Sequence, residues 1–357
     1  VVNRDVELID LIWPKTLIPP IDSAKLLYLD LNHWINLAKV KLGKGGATRY
    51  WQLLEACQLA VKNKKVRIVL SDALAEEIFK IRDPRQRNDI VSVIDELTDY
   101  EYLAGLADVK KLELQATLDE MTGTRGLNYS QIPLVGGSLL HAFGKVGGLL
   151  LTDADGKPID RTLLSEEEQR KLKVIDREAE RQLLAGPKDD DIPELRRSGY
   201  APEIVQDSLQ DNAQIEQSFA NEQLDDRMRR GRLKDVLTAR ELFHELNEML
   251  ARELSVRKIT FALLTKNIHD ARRLVHSMPS SCVAVELKTN YHRNAARKWT
   301  VNDIRDIHAM SLAIPYCDIV FTDAAVRDCL IRSKLPARMR TLVPNKPDDL
   351  VQLLSEL

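Results

Sequence analysis

Two apolar runs at opposite ends of the chain each stop on an aspartate: LLYL before Asp30, and IVF with Thr322 before Asp323. Both read as short buried strands, and each runs at once into helix-forming residues. After LLYLD comes the helix INLAKVKL, broken by the GKGG turn at 43–46. That turn lacks the spacing of a phosphate-cradling P-loop. RYWQLLEACQLAVKN follows with Trp51, Leu54, Cys57 and Val61 at helical spacing, then the strand VRIVL, then SDALAEEIFKI with Ser71 as N-cap. Strand, helix, helix, strand, helix is the alternation of a parallel sheet with helices on its faces. The carboxyl-terminal segment repeats it: helix VNDIRDIHAMSLA, strand CDIVFT, helix AVRDCLIRSK, strand MRTLV and helix DDLVQLLSEL. One sheet must therefore be assembled from residues far apart in sequence.

Between these ends the character is different. RQRNDIVSVIDELTDY, a Gly-rich stretch and charged blocks such as SEEEQRKLKVIDREAERQLL carry helical patterning with little strand signal, and KDDDIPE reads as a linker. The expected division is 1–97 and 300–357 as two parts of one core, with 98–299 a mainly helical insertion.

At 357 residues and 44% hydrophobic content the chain can build a sizeable core, and a net charge of -2 gives no global field for nucleic acid. Its four cysteines form no C-x-x-C pair, and three of them sit in apolar contexts that suit reduced, core-filling thiols. No apolar stretch approaches the roughly 20 residues that span a bilayer, and the first residues lack the apolar region of a signal peptide. No membrane role and a cytoplasmic location are the expectation.

Ligands of open parallel sheets bind beyond the carboxyl ends of the strands. Asp30 and Asp323 stand there, the helix after VRIVL carries Asp72, Glu76 and Glu77, and the helix before the last strand carries Asp303 and Asp306 on one face. Crowded carboxylates repel, and a hard cation relieves them; without a Cys or His cluster, oxygen ligands point to Mg²⁺ or Mn²⁺. Asp72 is explained as well by the helix dipole.

Asp30-Leu31-Asn32 after a strand, Ser71 with Glu76 or Glu77, and Asp306 followed sixteen residues later by Thr322 and Asp323 resemble the motifs of the PIN-domain family of metal-dependent nucleases. The match covers about 24–97 and 300–357. It implies a three-layer α/β/α domain with a central parallel sheet, interrupted here by the insertion, and hydrolysis of phosphodiester bonds, usually in RNA. Asp30, Glu77, Asp306 and Asp323 would be the catalytic metal ligands, with Asn32 and Thr322 orienting ligands or water behind them. Glu77 lies beside the apolar stripe of Leu74, Ile78 and Ile81, which favours it over Glu76. Asp303 is a reserve ligand or a helix cap. Asp318 begins its strand and should point away.

KTNYHRNAARKW, 288–299, sets Lys288, Arg293, Arg297 and Lys298 among Tyr291 and Trp299, a composition suited to single-stranded RNA. The alternative is a solvated loop anchored by Trp299. RMRRGRLK, 227–234, reads as a charged helix face, and His33 and His308, beside proposed ligands, as packing residues that could contact a phosphate. The leading expectation is a Mg²⁺/Mn²⁺-dependent ribonuclease whose insertion selects RNA, pairs subunits or binds a regulatory protein; toxin or defence use suits the family. The alternatives are a non-catalytic PIN-like scaffold or RNA-binding protein, and a structure-selective DNA nuclease.

Overall fold

The computed structural model describes residues 9–44, 48–123, 129–146, 151–153 and 155–357. The second half of GKGG (45–46), the first eight residues, and parts of the Gly-rich stretch therefore lie outside the described residues. The chain is a mixed α/β protein, 66% helical, around a small parallel sheet.

Three strands form the centre of that sheet: β1 (Lys25–Leu29), β2 (Val66–Val69) and β3 (Ile319–Phe321). β1 lies in the middle, parallel to both neighbours, with Leu27 opposite Ile68 on one side and Ile319 on the other. Single parallel bridges extend the sheet at each edge, Leu70 to Tyr102 and Ile319 to Leu342. Chain order thus reverses at β1, which makes the crevice above β1 and β3 a topological switch point.

Successive strand residues enter different cores. Leu26, Tyr28, Val69 and Val320 pack into one, and Leu27, Leu29, Ile68, Ile319 and Phe321 into the other. Burial on both faces explains why these strands read as unbroken apolar runs instead of alternating ones.

The second core is covered by α1 (Leu31–Lys41), α2 (Thr48–Lys62), α3 (Asp72–Lys80), α4 (Pro84–Leu97) and the carboxyl-terminal helix Pro347–Glu356. The first core is covered by α5 (Leu106–Thr122), which precedes α6 (Glu166–Ala185) and α7 (Glu203–Ser218), and by α8 (Pro279–Arg293), α9 (Val301–Tyr316) and α10 (Ala324–Arg332). α5 and α8 come from the segment expected as an insertion, yet both contribute to the sheet's own packing. A third apolar cluster, including Leu118, Phe219, Leu237, Leu246 and Leu274, joins other parts of that segment.

Caps set the boundaries as the sequence suggests. Ser71 Oγ accepts from Leu74 N at the start of α3, and Thr300 with Asp303 forms a capping box at the start of α9. Asp318 sits at the opposite strand ends from Asp30: its carboxylate accepts from Lys25 Nζ at 2.8 Å and Leu26 N at 2.9 Å. All four cysteines are free and buried.

Three local expectations are corrected. MRTLV yields only the bridge at Leu342, because Pro336 starts a short helix, Leu335–Met339, that Arg340 ends in the left-handed region. On α2 the buried side chains are Leu53, Leu54, Cys57 and Ala60, while Trp51 is exposed and donates to Glu55. KDDDIPE is a 3₁₀ turn, Asp189–Asp191, leading into the helix Ile192–Arg197. No helix among the described residues is long and apolar enough to cross a membrane.

Leu27, fully buried at the sheet centre, and Leu342, half exposed at its edge, separate core from rim. Leu27→Ala is expected to cost about 2–5 kcal/mol in urea denaturation, and Leu342→Ala less than about 1 kcal/mol. Equal costs would contradict the placement of β1 as the central strand.

Candidate metal centre

Parallel pairing of β1 with β3 sets the ends of the two strands side by side, and Asp30 N donates to Phe321 O at 3.0 Å. Asp30 follows β1 directly, Asp323 follows β3 after Thr322, and each caps the helix that comes next. Asp30 Oδ1 accepts from Leu31 N at 2.8 Å; Asp323 Oδ1 accepts from Ala325 N at 2.7 Å and Val326 N at 2.9 Å. Thr322 Oγ1 donates to Asp30 Oδ2 at 3.2 Å, tying the end of β3 to that of β1. Asp306 reaches the same place from α9. One carboxylate oxygen each from Asp30, Asp306 and Asp323 lies within 4.8 Å of the others, and all three residues are half-buried.

This crowding is expensive without a counter-charge. Burial pushes the Asp306 carboxyl up to about 8, and Asp30, Asp323, Glu77 and Asp303 add to the effect. Burial and then Asp30 push Glu77 up to about 7, against the pull of Arg305 and Lys80. Asp30 is raised by burial and Asp323, opposed by the Leu31 amide and Thr322. The donor set fits a hard divalent ion: oxygens only, separated by a span that ligand distances of about 2.0–2.4 Å can bridge.

Glu77 adjoins this cluster without entering the three-oxygen group, close enough to Asp30 and Asp306 to shift with them. The reserves are engaged elsewhere. Glu76 faces His308, Asp72 and Arg305, and both oxygens of Asp303 are occupied, one by Arg297 and the other by Thr300 N and Oγ1. Asn32 is exposed and bonded to Asn36. Asp72 does more than stabilise a helix dipole: Oδ1 accepts from Ala73 N and Oδ2 meets His308 Nε2 at 2.9 Å. His33 is buried, stacked 3.6 Å from the Phe321 ring and joined to Tyr50 Oη at 2.9 Å, so it packs beneath the site.

Residues 288–299 do not form the solvent-facing strip that their composition suggests. Lys288 is enclosed by Glu245 at 2.9 Å and Glu216 at 3.2 Å; Tyr291 and Trp299 are buried edge to face. Arg297 lies 3.8 Å over the Tyr291 ring and pairs with Asp303. Arg293 and Lys298 alone of the six are exposed. In 227–234 Arg227, Arg230 and Arg232 form the exposed charged face that was expected, while Arg229 donates to His292 O and Ala220 O and Lys234 pairs with Glu286.

The sequence reading passed over Arg305, buried next to Asp306 and within electrostatic reach of Glu76 and Glu77. Its place on the same helix, one residue before a proposed ligand, was the available signal.

No protein-family model, curated protein or solved structure matches the chain significantly. The account of the site therefore stands on its geometry.

Because the folded Asp306 carboxyl holds its proton to about pH 8, against about 4 when unfolded, the folded state binds the extra proton between those values. Its contribution to stability is complete below about pH 4 and disappears as pH rises to about 8. In EDTA, Asp306→Asn is expected to exceed wild type in stability at pH 8 by up to about 5 kcal/mol, about 1.4 for each pH unit between about 4 and about 8, with the difference vanishing near pH 4. Parallel stability profiles for the two proteins would refute the repulsion.

Proposed function

We propose that the protein is a Mg²⁺- or Mn²⁺-dependent ribonuclease with a PIN-like core. The observation that carries this reading is the convergence of Asp30, Asp306 and Asp323 on one point at the switch of a parallel sheet. The strand order and the burial of both sheet faces support a three-layer α/β/α core.

A divalent ion in such a site supplies Lewis acidity toward a phosphate oxygen and lowers the pKa of water. The protein's own part is to fix oxygens before substrate arrives. Leu31 N and Thr322 Oγ1 hold the two oxygens of Asp30, and the start of α10 holds Asp323, leaving its Oδ2 without a partner among the described residues. Asp306 accepts no hydrogen bond from the described residues and offers both oxygens. Glu77, protonated near neutrality by burial and its acidic neighbours, can give up that proton when positive charge enters the cluster. No side-chain nucleophile is needed, since water attacks phosphorus directly.

Labelled single-stranded RNA and DNA incubated with Mn²⁺ or with EDTA test the reading. RNA cleavage is expected in Mn²⁺ alone, reduced at least about 100-fold by Asp30→Asn or Asp306→Asn with circular dichroism unchanged. Undiminished cleavage in the variants would reject it, and cleavage confined to DNA would favour the structure-selective alternative.

A further inference from the structure

Arg305 is 4% exposed, yet its Nε and Nη1 find no acceptor among the described residues. Its one hydrogen bond runs from Nη2 to a neutral group, Gln206 Oε1 of α7, at 3.1 Å. A buried guanidinium with two unsatisfied nitrogens and no contact ion pair is costly, and folds rarely keep one without a use. Lys80 at the end of α3 is its neighbour. α3 packs on α9, and Lys80 Nζ reaches Asn302 Oδ1 at 3.4 Å, one helical turn before Arg305. Lys80 also makes no ion pair among the described residues, and the nearby Arg305 charge pulls its ammonium pKa down in addition to burial.

The two cations are linked to the acid cluster through Glu77. Glu77, three residues before Lys80 on α3, interacts with both cations and with Asp30, and Arg305 is bonded in sequence to Asp306. A dianion or polyanion that displaces Gln206 would separate the like charges of Arg305 and Lys80 and supply the acceptors that the enclosed Nε and Nη1 lack. Phosphate suits the guanidinium fork, which gives paired, charge-assisted hydrogen bonds to its oxygens. Gln206 Oε1 already occupies an acceptor position on the guanidinium; it is a half-buried, neutral side chain that a stronger acceptor can displace.

We propose that Arg305 and Lys80 form a phosphate clamp that grips the backbone of single-stranded RNA beside the acid cluster. The inference rests on reading that cluster as a nuclease site. It replaces the 288–299 strip, most of whose side chains are committed to the interior, with cations that feel Glu77 at a distance but make no contact ion pair among the described residues. The opposing account is that the pair only offsets excess acid in the neighbourhood, in which case RNA affinity does not depend on it.

Fluorescence anisotropy of a labelled oligouridylate about 12 nucleotides long, measured in EDTA, separates the two. Lys80→Gln is expected to weaken binding roughly 5-fold and to flatten the dependence of log affinity on log salt by about 0.7. Arg305→Lys keeps the charge but loses the fork, and is expected to weaken binding by a similar factor with little change in salt slope. Wild-type affinity in either folded variant overturns the clamp; should the buried Arg305 variant fail to fold, the exposed Lys80 variant decides alone. Binding is read without divalent ions, so the two readings fail separately. RNA held through these cations but never cleaved in Mn²⁺ rejects the nuclease, whereas cleavage with unaltered KM in Lys80→Gln rejects the clamp.

Discussion

The pairing of Lys25–Leu29 with Ile319–Phe321 is the contact on which the remaining architecture depends. It joins segments separated by nearly the whole chain, and everything between them becomes one long closed loop. Loop-closure entropy rises only with the logarithm of length, so a large intervening segment is tolerated once the pairing is strong enough. Asp318 secures one end of the pair by holding Lys25 and Leu26, and Thr322 secures the other by holding Asp30. Between them lie side chains buried on both faces, where a slip of one residue would exchange the occupants of two cores.

The same pairing imposes the electrostatic problem at the carboxyl ends. Strands that must be adjacent bring Asp30 and Asp323 together, and α9, packed across one face, adds Asp306. Among the described residues none of the three makes an ion pair. Amides and one hydroxyl orient two of them, while Asp306 is left to the repulsion of its neighbours, which with burial raises its pKa. A fold that concentrates unfavourable charge at a switch point while satisfying its caps elsewhere has the pattern expected of a binding site, where local consistency is given up for function.

Much of this was legible from the sequence because it is local. Unbroken apolar runs marked the strands, Ser71 and Thr300 marked helix starts, and the i to i+3 spacing of Asp303 and Asp306 placed both on one helix. The spacing to Thr322 and Asp323 preferred Asp306 over Asp303, and the structure gives the reason: the capping box and Arg297 engage Asp303. The reading of 288–299 failed for a physical reason. Composition reports charge and aromaticity but not exposure, and the partners that enclose Lys288, Glu216 and Glu245, lie on other helices of the intervening segment. Arg305 was hidden in the same way: a single arginine on an amphipathic helix carries no sign that two of its nitrogens will be buried without acceptors.

Crystals soaked in Mn²⁺ and measured at the manganese absorption edge address the central claim most directly. The account predicts an anomalous peak touching carboxylate oxygens of Asp30, Asp306 and Asp323, at distances of about 2.0–2.4 Å, which disappears in crystals of Asp306→Asn. A well-ordered cluster with no anomalous peak at millimolar Mn²⁺, or a peak held only by other residues, would contradict it.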